Sequence, residues 1–150
     1  MSDDRLEALV DRQAVVDLAV RYATALDTKD WTLLATCFVP DAVAIYSTRG
    51  RVEGYAGIEE VCRGSLGPLT ASQHLLGNHV VELDGDDGRA SCYFQAQHVR
   101  SGTEGGDTYI VAGTYRDRVV RTPEGWKIAE RQLTVLWTQG NERVLHPAPG

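Results

Sequence analysis

The sequence predicts an α+β domain in which N-terminal helices pack on a strongly curved, mostly antiparallel sheet, giving a cone-shaped α+β barrel. Two observations predict this class. Helical hydrophobic periodicity is confined to the first half of the chain, and long alternating runs fill the part after residue 72. The 150 residues, 43% of them hydrophobic, suit one core. Residues 1–150 are therefore interpreted as a single domain with a core over about 5–140.

Three helices are predicted, and they cover residues 6–26, 31–38 and 55–63. In the first helix two apolar stripes recur at helical spacing. The second stripe ends on Asp27, so helical geometry can point this carboxylate inward. Asp30 is a plausible N-cap of the second helix, and Pro40 lies beyond its end. Gly64 is expected to end the third helix.

Two short strands and four long strands are predicted, with residues typical of turns between the long ones. The short strands cover 43–46 and 51–53, and the long strands cover 73–83, 89–100, 108–121 and 126–138. Consecutive long strands with short connections form an antiparallel meander. A bent sheet backed by helices encloses an apolar pocket, and residues 146–150 are expected to form a loose tail.

Composition and charge limit the partners and the compartment. The chain has 15 basic and 21 acidic residues, a net charge of −6, without a Lys/Arg cluster, so neither nucleic acid nor a membrane surface is expected as a partner. No apolar run reaches the roughly 18 residues of a membrane helix, and the acidic start lacks the layout of a signal peptide. The three cysteines form no CxxC pair, which predicts buried thiols and a cytoplasmic location.

Polar side chains within apolar rows mark a candidate site. On the fourth long strand Arg131 shares a row with Trp137, and on the second long strand His98 shares a row with Phe94. A buried guanidinium needs a carboxylate, carbonyl or ligand partner, because an unpaired buried charge is very costly. Alternation does not orient His74, since both faces of its strand are mixed.

The candidate functional groups are Tyr22, Asp27, His74, His98 and Arg131. A neutral histidine held by a carboxylate is a good general base, because the carboxylate fixes the tautomer and stabilises the imidazolium. Arginine stabilises developing negative charge, and tyrosine donates a hydrogen bond to an oxygen. No metal site is predicted, since the spacing of His74 and His79 places them on opposite faces of a strand.

Each candidate also has a purely structural interpretation. Asp27 could end the first helix or cap the second, and His74 could be a strand histidine bonded to backbone. His98 could be a core histidine with satisfied hydrogen bonds, and Arg131 could pair with an acidic residue of the first helix. Tyr22 could be a core residue whose hydroxyl reaches the surface.

A series of segments carries a family resemblance: Arg21-Tyr-Ala-Thr-Ala-Leu-Asp27, Asp30-Trp-Thr-Leu-Leu34, Phe38-Val-Pro-Asp-Ala42, Gly54-Tyr-Ala-Gly-Ile58, Gly113-Thr-Tyr-Arg-Asp117 and Gly125-Trp-Lys-Ile-Ala-Glu-Arg131. In this order they resemble the SnoaL-like branch of the nuclear transport factor 2-like superfamily, over about residues 5–140. The closer resemblance is to the hexachlorocyclohexane dehydrochlorinase and scytalone dehydratase-like group. The fold hosts enzymes and binding modules alike, so its motifs are poor guides to the reaction.

The resemblance implies a His–Asp dyad as the general base, with Asp27 and His74 at the matching positions. Arg131 matches an active-site arginine of the dehydrochlorinase. Tyr22 stands where the dehydrochlorinase has a lysine and is more like the dehydratases, in which a tyrosine polarises or protonates an oxygen. His98 resembles a second histidine that assists departure of water. Substrate contacts are expected from four residues, namely His98, Tyr115, Phe94 and Trp137.

These inferences predict a cofactor-independent lyase that eliminates water or halide from a small, mostly apolar organic substrate. No cofactor is expected, because the site supplies base and electrophile by itself and no cofactor motif occurs. The resemblance implies a homotrimer or a homodimer. Two alternatives stay open: an isomerase or polyketide-type cyclase with the same proton abstraction, and a non-catalytic ligand-binding module in which Asp27 and His74 need not touch.

Overall fold

The computed structural model describes residues 2–147. The helices are α1 (Asp3–Thr28), α2 (Trp31–Ala35) and α3 (Tyr55–Leu66). The strands are β1 (Phe38–Tyr46), β2 (Gly50–Glu53), β3 (Ala71–Asp84), β4 (Asp87–Val99), β5 (Thr108–Thr122) and β6 (Gly125–Gly140). A short 3-10 helix, Glu142–Val144, follows β6.

The strands form one six-stranded sheet in the order β2-β1-β6-β5-β4-β3. β1 runs parallel to β6, and all other neighbours are antiparallel. The sheet is not closed, so β2 and β3 are its two edges. α1 packs against β3 and β6, and α3 packs against β1 and β2. The predicted α+β cone with helices on a mostly antiparallel sheet is confirmed.

α1 buries one face in the core, through Val15, Leu18, Tyr22, Ala23, Ala25 and Leu26. The second predicted stripe is only partly covered, because Val20 is half exposed. The helix continues past Asp27 to a left-handed cap at Lys29, whose ammonium donates to the carbonyls of Gly67 and Leu69. Asp27 therefore neither ends α1 nor caps α2.

α2 is shorter than predicted. Asp30 does cap it, since the Asp30 carboxylate accepts the backbone N–H of Leu33 at 2.9 Å. The helix ends at Ala35, and Phe38 already belongs to β1. Val39 favours an extended backbone because the ring of the following Pro40 would clash with it in the helical conformation.

α3 is longer than predicted, because Gly64 does not end it. The helix continues to Leu66, which is buried in the core. Burying a leucine contributes about 2 kcal/mol, whereas a glycine in a helix interior costs about 1 kcal/mol. Burial of the last turn therefore outweighs the local preference for a stop.

β3 contains a bulge that the alternating pattern hid. Its pairing with β4 shifts by one residue between Gly77 and Val80, where Asn78 adopts a left-handed backbone with φ of 53°. Before the bulge His74 lines the large cavity, and after it His79 lines a small void against α1. Both histidines thus face the helix side, and the prediction of opposite faces is wrong. The bulge also explains why both faces of the sequence pattern look mixed.

β6 carries a similar irregularity near its end. Ala112 pairs with Trp137 but Gly113 pairs with Val135, so Leu136 is an extra residue. Val135 and Thr138 line the cavity, whereas Trp137 is 44% exposed and lies outside the lining. The expectation that Trp137 extends the row of Arg131 into the substrate site is therefore wrong.

The segment after β6 packs on the domain. Val144 is 1% exposed, and Leu145 and His146 line the cavity. A loose tail from residue 146 is thus wrong for His146, while residues 148–150 lie outside the described part. The predicted buried thiols are confirmed, since Cys37, Cys62 and Cys92 are free and buried. Between residues 2 and 147 there is no helix with the length and apolarity needed to cross a membrane.

Candidate active site

The helices and the curved sheet enclose an open cavity of about 430 Å³. Sites for small organic molecules fall in the range of roughly 300–1,000 Å³ and are mostly apolar with a few polar groups. The predicted site residues in its lining are Tyr22, His74, Phe94, His98 and Tyr115. Two of these are imidazoles and two are phenols, so the apolar cavity has polar groups that can act on a bound molecule.

Asp27 and His74 are in direct contact. His74 Nδ1 lies 2.6 Å from Asp27 Oδ1, and the backbone N–H of His74 donates to Asp27 Oδ2 at 2.8 Å. The Ser72 hydroxyl also donates to Oδ1, at 2.9 Å. The last turn of α1 supplies the carboxylate, and the part of β3 before the bulge supplies the imidazole. The interpretation of His74 as a histidine bonded to backbone is wrong, since its ring bonds to a carboxylate.

These contacts decide the protonation state and the tautomer. Burial alone would raise the pKa of the Asp27 carboxyl, but the hydrogen bonds from His74 and Ser72 outweigh burial and lower this pKa below its usual value. An ionised carboxylate only accepts, so His74 Nδ1 carries the shared proton. Nε2 is then the unprotonated nitrogen of the neutral ring, and no described residue within hydrogen-bond distance occupies it. Its lone pair is available to a molecule in the cavity.

His98 is a second neutral imidazole in the same cavity. It is 4% exposed, and its Nδ1 donates to the carbonyl of Tyr109 at 3.0 Å, so its Nε2 also lacks a proton. Burial lowers the pKa of His98 to about 4, although the bond to Tyr109 opposes this. The rings of His98 and His74 are 6.0 Å apart and nearly perpendicular. His98 is thus a hydrogen-bond acceptor at neutral pH and has no proton to give a leaving group.

An aromatic cluster forms the wall beside the imidazoles. Phe94 stacks on Tyr115 with 4.4 Å between ring centroids, and Tyr115 meets Tyr22 edge to face at 5.6 Å. Burial raises the pKa of both tyrosines, so their hydroxyls are protonated donors near neutral pH. Tyr22 is buried and lines the cavity, so the interpretation that its hydroxyl reaches the outer surface is wrong.

Arg131 lies behind this wall. Its Nε donates to Asp117 Oδ1 at 2.8 Å and its Nη2 donates to Oδ2 at 2.7 Å, a bidentate pair between residues directly opposed on β6 and β5. The guanidinium carbon lies 4.1 Å from the ring centroids of both Tyr22 and Tyr115. Burial lowers the pKa of Arg131, but Asp117 outweighs burial and raises it well above the usual value. The cation therefore persists in the core, and Nη1 has no partner among the described residues.

The structure thus brings together most of the predicted site residues and moves two of them. Arg131 is one layer behind the cavity wall and pairs with Asp117 on β5, not with an acidic residue of α1. Trp137 is outside the lining. Sequence reasoning missed Asp117 and Ser72. Asp117 could not be found by pairing the last two predicted strands, because a register shift between Arg118 and Val119 places it opposite Arg131 and not opposite Glu130.

The described residues do not assemble a metal centre. Between residues 2 and 147 no three His, Cys, Asp or Glu side chains come close enough to hold a metal ion. His79, which shares a face with His74, lines the small void beside Val15 and Cys92 instead of the cavity. The polar side chains of the cavity lining therefore carry imidazole, hydroxyl, thiol and guanidinium groups.

Comparison with known proteins identifies relatives of this chain. The SnoaL-like domain family matches residues 7–132. An uncharacterised protein of Mycobacterium tuberculosis H37Rv is 32% identical over 126 residues, which cover 83% of this chain and 84% of the relative. These residues include both Asp27 and His74.

Solved structures share the fold closely. A Novosphingobium aromaticivorans protein proposed to be an aromatic ring hydroxylase is 29% identical, with a TM-score of 0.81 and coverage of 91% and 97% of the two chains. A hexachlorocyclohexane dehydrochlorinase has a TM-score of 0.81 at 20% identity, with coverage of 97% and 99%. A protein of N. aromaticivorans proposed to be a scytalone dehydratase has a TM-score of 0.81 at 23% identity and covers 90% of each chain. At such identities the last two indicate a shared fold alone.

Proposed function

The chain belongs to the SnoaL-like domain family and shares its fold with a nuclear transport factor 2-like protein, and on this premise we propose that it is a cofactor-independent lyase. The proposed reaction is β-elimination of water or halide from a small, mostly apolar substrate. One observation carries the proposal: His74 Nδ1 is 2.6 Å from Asp27 while the opposite nitrogen of the ring is open to the cavity. This is the arrangement that a general base needs.

In the proposed reaction His74 Nε2 removes a proton from a carbon of the substrate. The electron pair of the broken C–H bond becomes the second bond of a C=C double bond. The bond to the leaving group on the neighbouring carbon breaks, and its electron pair departs with chloride or hydroxide. Asp27 stabilises the imidazolium that forms, because a carboxylate beside the ring favours its charged state.

Tyr22 is proposed as the donor to the leaving group or to a developing enolate oxygen. Its buried hydroxyl is protonated and lines the cavity. A hydroxide leaving group would take this proton and depart as water. Solvent would then reprotonate the phenol and accept the proton from the His74 imidazolium, which restores the resting site. Arg131 acts as a positioning residue, because its guanidinium lies against the Tyr22 ring and does not reach the cavity. Its charge also makes a phenolic O–H a stronger donor.

The homo-oligomer implied by the resemblance remains part of the proposal. Exposed large apolar side chains on β3, β4 and β6 support it, among them Leu75, Tyr93, Leu136 and Trp137. Exposed apolar clusters of this kind mark interaction surfaces. Light scattering on the purified chain should give a mass of two or three times 16.4 kDa. A mass of one chain at micromolar concentration would refute this part without touching the reaction.

The dyad is tested first, without a substrate, by nitrogen-15 NMR of the histidine rings. In the wild type the His74 signals should report a proton on Nδ1 and a bare Nε2 at pH 8. Asp27→Asn should change the His74 ring signals most, and His74→Ala should remove them. His98, fixed by Tyr109, should keep its tautomer in both variants. Unchanged His74 signals in folded Asp27→Asn would refute the dyad.

The reaction is then tested with a panel of β-hydroxy ketones and chlorinated alicyclic compounds in heavy water. A lyase releases water or chloride and leaves an alkene, and His74→Ala should abolish release. An isomerase returns the proton, so the product keeps the substrate mass apart from incorporated deuterium. A cyclase gives a product with a new ring. Uptake of panel members without any turnover would favour the non-catalytic binding module.

A further inference from the structure

The cavity lining is uneven in charge. Among the described residues that line it, Arg49 alone carries a permanent charge, and none of them is a carboxylate. Arg49 lies in the turn between β1 and β2, and its side chain enters none of the ion pairs formed by residues 2–147. Arg49 is an exposed residue at the edge of this lining, and a guanidinium without an ion-pair partner among the described residues is an available site for an anion.

The positive charge of the cavity lining is opposite in sign to the net charge of the chain. The chain has a net charge of −6, and the nearby Arg51 is already paired with Glu53 at 2.8 Å. The C-terminal segment adds His146 to the same lining, which supplies a second nitrogen donor or acceptor. An anionic guest would thus find an attractive group in this cavity on a protein that repels anions elsewhere.

Arg49 and the dyad belong to opposite walls. Arg49 is carried by the edge that β2 forms, and His74 is carried by β3, the other edge of the sheet. An anionic group is disfavoured next to His74, because the Asp27 carboxylate is ionised there. An anionic group of a bound molecule is therefore expected to lie near the β1–β2 turn, away from the carbon that reacts at His74.

We propose that the substrate carries an anionic group, of the carboxylate class, which pairs with Arg49 while the apolar body fills the cavity and its reacting carbon lies at His74. This inference rests on the proposed function for the role of His74, but the anion preference of the cavity stands independently of catalysis. It narrows the substrate from any small apolar molecule to an amphipathic acid. The reacting carbon and the acid group are separated by the apolar body.

The test uses two probes that differ in charge and little in shape, 2-naphthoate and 2-naphthamide. Binding is followed by the NMR ring signals of His98, which is buried in the cavity lining and so reports the cavity and not the exposed outer face of the sheet. The variants are Arg49→Gln and Arg49→Lys. Arg51→Gln is the matched control, because it removes the same charge from an arginine two residues away that is already paired.

In the wild type at low salt 2-naphthoate should bind about fivefold more tightly than 2-naphthamide, the upper range for a solvent-accessible ion pair. Arg49→Gln should remove this preference by weakening 2-naphthoate alone, and Arg49→Lys should keep most of it. Arg51→Gln should change neither affinity by more than about twofold. Added salt should weaken 2-naphthoate in the wild type and not in Arg49→Gln.

Three results would overturn the proposal: equal affinities for the two probes in the wild type, an equal loss for both in Arg49→Gln, or no response of the His98 ring to 2-naphthoate. His74→Ala separates this proposal from the catalytic one, because it should leave the probe preference intact. A persistent preference without any elimination activity would keep the anionic ligand and refute the lyase. Elimination activity without a preference would do the reverse.

Discussion

The domain contains two pairs of a carboxylate and a nitrogen base, one in the cavity wall and one behind it. Asp27 bonds to His74 in the cavity wall, with side-chain exposures of 22% and 6%. Asp117 bonds to Arg131 behind that wall, with exposures of 9% and 2%. Both pairs join distant or opposed elements through nitrogen–oxygen contacts of 2.6 to 2.8 Å. The partner base distinguishes them, since an imidazole can accept and release a proton whereas a guanidinium remains charged.

The difference teaches where a domain can keep reactive chemistry. In the buried Asp117–Arg131 pair the carboxylate keeps the guanidinium charged. The guanidinium can therefore pack against the rings of Tyr22 and Tyr115 but cannot transfer a proton. The Asp27–His74 pair leaves one ring nitrogen on the cavity, so it can react but contributes little to holding strands together. Variants of the two pairs should therefore separate activity from stability.

The largest expected effect concerns His74. His74→Gln should lower turnover of an identified substrate by about 10²- to 10⁴-fold, the usual contribution of a general base. The free energy of unfolding should change by less than about 1 kcal/mol, because the neutral amide can still bond to Asp27. His79→Gln on the same strand is the matched control and should keep full turnover. Equal loss of turnover in both variants would assign the effect to the strand and not to the dyad.

The next largest effect is expected at Arg131, where a substitution should lower stability more than turnover. Arg131→Met should lower the free energy of unfolding by about 3–5 kcal/mol, because it leaves the buried Asp117 carboxylate without a partner. The double variant Arg131→Met/Asp117→Leu should recover most of this loss, since an apolar pair of similar volume fills the site. Urea unfolding measures both. If Arg131→Met lowered the free energy of unfolding by less than about 1 kcal/mol, the Asp117 carboxylate would have to be hydrated in the variant.

A third effect is expected from acid. Burial lowers the folded pKa of His98 from its ordinary value of 6.5 to about 4, so the unfolded chain binds the proton first as the pH falls. Stability should be complete above pH 6.5 and should decline by up to about 3 kcal/mol toward pH 4. His98→Gln should remove this decline, as urea midpoints at several pH values would reveal. A wild-type midpoint that is flat from pH 7 to 4.5 would contradict the buried neutral imidazole.

Asp27 should respond in a different acid range. Its folded pKa is lowered below the ordinary value of 3.8, so its contribution to stability is present above that pH and is lost as the pH falls through the folded value. Asp27→Asn should therefore lose the decline in stability below about pH 4. The control is Asp30→Asn, in which an asparagine still caps α2 and the decline should persist. A decline of the same size below about pH 4 in the wild type and in Asp27→Asn would contradict an ionised Asp27 carboxylate in the folded protein.

The smallest effect is expected at Tyr22, which lies against Arg131 and lines the same cavity as His74. Tyr22→Phe retains the ring beside Arg131 and removes the hydroxyl from the cavity. Turnover should fall about tenfold, the value of one hydrogen bond in the transition state, with stability within about 1 kcal/mol of the wild type. Tyr46→Phe, on another part of the lining, is the control. An unchanged turnover would remove Tyr22 from the reaction.

The fold and the contact between Asp27 and His74 could be predicted because local signals agreed with each other. Helical spacing ending on Asp27 and the family resemblance at His74 both indicated contacts that the structure contains. The position of Trp137 could not be predicted, because the alternating pattern has no mark for the extra residue Leu136. The partner of Arg131 required strand register, which composition and periodicity leave open. Arg49 was not identified as a candidate because nothing in the sequence indicates that this residue of the β1–β2 turn lines the cavity.

The left-handed Asn78 in β3 has a consequence for mutational tolerance. Removing its codon would take out the extra residue, so the strand would alternate regularly while His74, Val81 and Leu83 all stayed on the helix side. Removing Glu82 instead would place Leu83 directly after Val81 and would move Leu83 to the outer face. A scan of single-residue deletions should therefore find β3 more tolerant at Asn78 than at Glu82. A gap at this position in an alignment of relatives is compatible with the same packing surface on a regular strand.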